Sequence, residues 1–368
     1  MRVLFSSMPT HGHVLPLLPT AGAARAAGDE VAVSTGASLR EVVGELRFLP
    51  AGPEMPELFA EQARRPGSRD PRRAEDLPAV TAFFGDVRIG LTFDAALAAA
   101  KAFQPELVVA EVADLVAPLV AAALGVPWVA HSISAAFPEP LARLFEEEVR
   151  RQAEARGLRV SPRSALLDLW PSFLQFDGYR PPADLVPVRP LPYRPPGSAP
   201  APLARGERRR VLFTLGTTGD MSVVTGRLLA SLSALDVEVV VTADPVPDAP
   251  DAVRFVGFTP LADLLEGTDV VITTGGAGTL IAALGHGIPM VTLPMVADQP
   301  LLAERAASLG AAAVVDPRQA EDRLADAVAT VLGEPEYGAT AREAAARIAQ
   351  LPAPEAAWAE VLARLAQG

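Results

Sequence analysis

Apolar residues along this chain follow two alternating rhythms. Short β-branched runs at 3–7, 30–34, 107–110 and 126–131, and again at 211–215, 238–242, 253–258, 269–273, 290–293 and 312–315, have the length and composition of strands buried on both faces. Between them lie Ala- and Leu-rich stretches at helical spacing, such as 17–27, which stops at Gly28. Strand and helix alternating through both halves predict parallel sheets covered by helices, an α/β class. Between Val186 and Leu203 the rhythm breaks at seven prolines, Pro187, Pro190, Pro192, Pro195, Pro196, Pro200 and Pro202. Pro lacks an N–H donor and fixes φ, so neither a continuous helix nor a central strand survives there. The expectation is two domains, 1–185 and 208–352, joined by a linker at 186–207, with a final amphipathic helix in 353–368. Residues 64–76, charged and aperiodic with two prolines, are expected to form a mobile loop.

Length supports that division, since 368 residues exceed the usual single domain. The 32 Lys and Arg against 44 Asp and Glu give a net charge of −12. That balance opposes a nucleic-acid role, which needs a basic stripe. There is no cysteine, which excludes disulfides, a thiol nucleophile and Cys-ligated zinc. The amino terminus lacks the pattern of a secretory signal, and the longest uncharged stretch, 115–130, is interrupted by Pro118, Gly125 and Pro127. A cytoplasmic protein without a membrane span is expected.

The chemistry concentrates in VVITTGGAGTLIAALGHGIPMVTLPMVADQ, residues 270–299. A strand, a glycine turn and an apolar helix follow one another. The first N–H groups of a helix have no internal partner, and the macrodipole places roughly half a positive charge there, so phosphate is favoured. Thr274, Gly276, Ala277, Gly278 and Thr279 form this candidate anion site. Asp298 and Gln299 lie just past the next strand, where open α/β sheets bind ligands, and offer groups suited to sugar hydroxyls. Among four histidines, His11 and His13 share the turn after the first strand. An imidazole titrates near neutral pH and can take a proton from a hydroxyl nucleophile if a carboxylate orients it. Glu111 stands at the end of the 107–110 strand, with Asp114 as the alternative acid.

The 270–299 segment, together with MRVLFSSMPTHGHVLPLLP, LVVAE, LGVPWVAHS, RVLFTLGTTG, FTPLADLL and DQPLLAERAASLGAA, resembles family 1 glycosyltransferases nearly end to end, especially bacterial enzymes that decorate natural products. The resemblance implies the GT-B fold, two Rossmann-like domains facing each other across a cleft, the first taking a lipophilic acceptor and the second a dTDP- or UDP-sugar. It implies that His13, in the HxxP pattern His13-Val14-Leu15-Pro16, is the base and that Glu111 occupies the place of its acidic partner. Thr217 joins the diphosphate site, and Phe258 and Thr259 match the segment that contacts the nucleobase. Met8, His11, Phe83, Phe84 and His131 are assigned to the acceptor, His131 having a second reading as a hydrogen-bonded core residue. The last helix is expected to cross back to the first domain, where Trp358 either helps fix the interdomain hinge or is an ordinary core tryptophan.

No DxD triplet occurs, so catalysis without a metal or other cofactor is expected, the leaving charge being met by preorganised donors. Three positions depart from the family: Thr274 replaces a His before the glycines, Leu302 an Asn and Leu261 a Gln. An inverting transferase is the leading expectation. The alternative is a noncatalytic nucleotide-sugar-binding partner of another transferase, and a homodimer is left open.

Overall fold

The computed structural model describes residues 1–194, 199–216, 223–257 and 259–367. The chain divides into two units, Met1–Arg189 with Pro352–Gly368, and Pro190–Leu351. Each is built on one sheet in which every pairing is parallel.

In the first unit the strands are β1 (Arg2–Ser6), β2 (Glu30–Thr35), β3 (Arg47–Pro50), β4 (Leu107–Glu111), β5 (Trp128–His131), β6 (Leu166–Asp168) and β7 (Leu185–Pro187), in the order β3-β2-β1-β4-β5-β6-β7. In the second they are β8 (Arg209–Thr214), β9 (Val237–Val241), β10 (Arg254–Phe255), β11 (Val270–Thr273), β12 (Met290–Thr292) and β13 (Ala312–Val314), ordered β10-β9-β8-β11-β12-β13. Both sheets are doubly wound, and the order reverses between β1 and β4 and between β8 and β11. Crevices at such reversals are where this class of sheet receives ligands. Continuous apolar strands such as Val3-Leu4-Phe5 and Val270-Val271-Ile272 are buried because helices cover both faces.

Two expectations need correction. The linker does not begin at 186, because Leu185–Pro187 pairs with β6 as an edge strand. Pro187 is tolerated there because its missing donor would face no further strand. The 253–258 run shortens to the two residues of β10. Residues 65–76 contain neither helix nor strand, and are crossed by the Arg69–Asp76 and Arg72–Asp70 ion pairs.

The final helix, Pro354–Leu365, belongs to the first unit and packs on the Leu18–Ala26 helix and on β7. Its indole anchor, Trp358, is buried with its ring 6.0 Å from that of Phe5, and its Nε1–H donates to Asp29 Oδ2 at 2.9 Å. Truncating a core Trp to Ala costs about 3–5 kcal/mol, a large part of a domain's net stability.

Candidate active site

Register determines what meets at the reversal of the first sheet. Ser6 lies beside Ala110 and Glu111 beside His131, so the turn after β1 and the end of β4 leave the sheet at one level. The turn enters a short helix, His11–Val14, and Pro16 and Pro19 occupy early positions of the segments that follow, where a missing N–H costs nothing.

This geometry brings His13 Nδ1 to 2.8 Å from Glu111 Oε1. An ionised carboxylate only accepts, so Nδ1 carries the hydrogen and the lone pair is on Nε2, as a general base requires. The Glu111 side chain is fully enclosed while that of His13 is 23% exposed. Glu111 also accepts from the backbone N–H of Met8 at 3.2 Å and of Ala113 at 2.7 Å. Its longer stem thus holds three donors on two elements at once. Phe84 stacks beside the imidazole with ring centroids 6.4 Å apart.

The remaining residues assigned to the acceptor separate. Met8 and Phe83 are buried with Leu58 and Val87 in one apolar cluster, so they are core side chains against which Phe84 packs. His11 is partly buried, and desolvation lowers its pKa. His131 is corrected to its second reading: it is wholly buried, its Nδ1–H donates to the Ser132 carbonyl at 2.7 Å, and its Nε2 accepts from Thr20 Oγ1 at 3.0 Å. Burial brings it down to about 4, against the smaller opposing pulls of the Ser132 bond and Glu111.

Sequence reasoning missed Arg88 altogether. It follows a π turn, Phe83–Val87, inside the long helical run from Leu77 to Phe103, and its guanidinium is buried beside Asp114 and Glu111. Burial lowers its pKa, against the pull of both acids. Asp114 accepts from Ser6 Oγ and from the Val116 N–H; burial raises its pKa and Arg88 opposes the rise. The available signal was helical spacing, since Arg88 and Thr92 accompany the buried face of Ile89, Phe93 and Ala96.

In the second sheet Thr273 lies beside Thr214, so the glycine turn and the loop after β8 also leave at one level. Gly275 takes φ +81°, and a Cβ there would come 3.3 Å from that of Ala303, tighter than side chains normally pack. Gly276 caps the Ala277–Gly285 helix, whose first internal bond runs from the Leu280 N–H to the Gly276 carbonyl. The N–H groups of Ala277, Gly278 and Thr279 therefore have no partner within the helix, and Gly278 is exposed.

Thr274 is buried. Asp298 caps the next helix, Gln299–Leu309, directly after Ala297 in a left-handed conformation at φ +55°. Gln299 is buried and its carbonyl oxygen accepts from the Met295 and Val296 N–H groups at 3.0 and 3.1 Å. That end of the amide ties its own loop, leaving the NH₂ as the part suited to a sugar hydroxyl. Leu302 is core, and the Thr259 hydroxyl donates to the Gly257 carbonyl at 3.1 Å. Thr217 and Phe258 lie outside the described residues. Among the described residues no group of three or more His, Asp or Glu is placed to hold a metal, and no helix is long and apolar enough to cross a membrane.

The family models for erythromycin biosynthesis protein CIII-like proteins match both halves, the N-terminal domain over residues 79–216 and the C-terminal domain over 226–366. The chain is 32% identical to the L-demethylnoviosyl transferase of Streptomyces niveus, covering 96% of each chain. It is similar to the Streptomyces sp. SF2575 glycosyltransferase SsfS6 complexed with thymidine diphosphate, with a TM-score of 0.84, 29% identity and 99% of each chain covered. The spinosyn rhamnosyltransferase SpnG complexed with spinosyn aglycone gives a TM-score of 0.81 at 25% identity over the whole of both chains. The chain therefore belongs to the erythromycin biosynthesis protein CIII-like family and is a natural-product glycosyltransferase of the GT-B fold.

Proposed function

We propose that this enzyme transfers a deoxysugar from a dTDP-sugar, with UDP as the alternative carrier, to a hydroxyl of a lipophilic aglycone, inverting the anomeric centre without a metal ion. The observation that carries the reading is the 2.8 Å contact of His13 Nδ1 with Glu111, which sets Nε2 as the proton acceptor. In the step itself the acceptor oxygen forms a bond to the anomeric carbon as its proton passes to Nε2. The carbon–oxygen bond to the diphosphate breaks on the opposite face, and the nucleoside diphosphate leaves with the bonding pair. The unpaired N–H groups of Ala277, Gly278 and Thr279 meet the charge that develops on it. SsfS6 bound to thymidine diphosphate supports the carrier, and SpnG bound to an aglycone supports the acceptor class.

Incubation with panels of dTDP- and UDP-sugars and aglycones, with and without EDTA, tests this. The expected result is acceptor-dependent nucleotide release, undiminished by EDTA, and a product of inverted configuration by NMR. Loss of activity in EDTA restored by Mg²⁺ would overturn the metal-free reading. The rival reading, a noncatalytic partner, draws on the departures at Thr274, Leu261 and Leu302. Sugar-nucleotide binding with no release for any acceptor would favour it.

A further inference from the structure

Arg88, a buried cation of the first unit, has no task in the transfer step. Arg88 is among the largest wholly buried side chains, and an arginine taken out of water is costly unless it organises what surrounds it. Its Nη1 donates to Thr92 Oγ1 at 2.8 Å and its Nη2 to the Ser7 carbonyl at 3.2 Å. Gly52, at φ +77°, lies directly against it: a Cβ there would stand 2.9 Å from Nη1 and 2.4 Å from the Thr92 hydroxyl.

The bond to Ser7 is the informative one. Ser7 C=O and Met8 N–H belong to the same planar peptide, whose six atoms move together. The carbonyl end is held by Arg88, and the N–H end donates to Glu111 Oε1, the oxygen that also meets His13. One rigid plane thus connects the guanidinium to the acid of the catalytic pair. The next residues of the chain, 9–13, are the turn that carries His13 itself. Asp114, bonded to Ser6 just before that peptide, adds a second buried carboxylate on the same side.

We propose that Arg88 is a positioning residue for the transfer reaction: it clasps the Ser7–Met8 peptide so that Glu111 and the His13 turn hold the geometry in which Nδ1–H faces the carboxylate. It touches neither substrate nor His13, and acts through that peptide and through its charge beside the two acids. This inference rests on His13 serving as the base.

The test pairs Arg88→Met, which fills similar volume without charge, with a histidine spectrum. With only four histidines in the chain, the ¹⁵N imidazole signals are resolvable. His131, enclosed in the same unit with both nitrogens bonded, is the internal control. In Arg88→Met the His13 signals should move toward a mixture of tautomers while those of His131 stay in place. Turnover should fall about 10- to 100-fold with dTDP affinity unchanged, and in a His13→Ala background the same change should cost less than about 2-fold. If Arg88→Met unfolds the unit, so that His131 moves as well, Arg88→Lys carries the same comparison, retaining a cation that cannot make both bonds. An unchanged His13 spectrum with normal turnover overturns the proposal. So does an equal fold-loss in both backgrounds. A His13 spectrum that moves while turnover proves indifferent to His13 would uphold the positioning and overturn the base assignment alone.

Discussion

The two reversals of strand order offer a controlled comparison, because the same crevice is built twice from the same topology. After β1 and β4 the chain invests in side chains: His13 bonds Glu111 directly, while the buried Asp114 and Arg88 bond Ser6 and Ser7 at the start of the His13 turn. After β11 it invests in backbone, with glycines, a buried threonine and the open end of a helix. A proton acceptor must be a titratable side chain, whereas a diphosphate needs only N–H groups held still. Sheets that share one strand order around the reversal therefore impose no chemistry of their own. They supply a place, and the composition of two turns decides its use.

The sharpest way to break this comparison is His13→Ala. Turnover with an oxygen acceptor should fall by about 10²-fold or more, while titration with dTDP gives unchanged affinity, because only the transition state loses its base. Near-normal turnover would remove the base from the first turn.

Acid should separate the two regions next. Burial depresses the pKa of His131 from the ordinary 6.5 to about 4. The unfolded chain therefore binds a proton that the folded unit refuses. The associated stability is fully present above pH 6.5 and is lost as pH falls toward 4, amounting to about 3 kcal/mol. Asp114 and Asp168, both raised by burial, act in the opposite sense. Comparing unfolding of the native chain with His131→Gln between pH 7.5 and 4 cancels their contribution. The native protein should lose stability more steeply, and parallel slopes would mean that His131 is not held neutral.

The smallest effect tests the backbone site. Gly276 sits at φ −60° and ψ 141°, a conformation that accepts a following proline, and Ala277 is the first helical residue. Ala277→Pro should leave the melting temperature nearly unchanged and weaken dTDP binding about 10-fold, by deleting one donor to a charged group. Calorimetric titration reads this directly. Unchanged affinity would place the diphosphate elsewhere than this helix terminus.

How much of this was legible in the sequence follows the same division. Period and composition exposed ten of the thirteen described strands and the apolar helix after the glycine turn, because local pattern alone produces them. The strands β3, β6 and β7, only three or four residues long, carry too little pattern to be read, and the helix begins at Ala277, inside what reads as a turn. His13 and Glu111 could be paired because motif and strand end placed both at one edge. Arg88 was not legible, since burial of a charge depends on a π turn and on partners about eighty and twenty-six residues away in Ser7 and Asp114. Nor was the division of labour within Gln299, whose carbonyl is taken by its own loop. His131 shows the converse limit: a strand-end histidine looks available until Thr20 and Ser132 occupy both its nitrogens.

The return of Pro354–Leu365 to the first unit has a consequence for synthesis. A ribosome releases residues in order, and domains generally fold as units as they emerge. The second unit, continuous from Pro190 to Leu351, is complete in sequence before the helix carrying Trp358 has been made. The unit begun first is therefore finished after the second: until the helix Pro354–Leu365 has emerged, Phe5 and Asp29 lack the indole that covers them. A nascent chain stalled before Pro354 would present a finished second unit and an unsealed first one, with its apolar seam open to solvent and to chaperones.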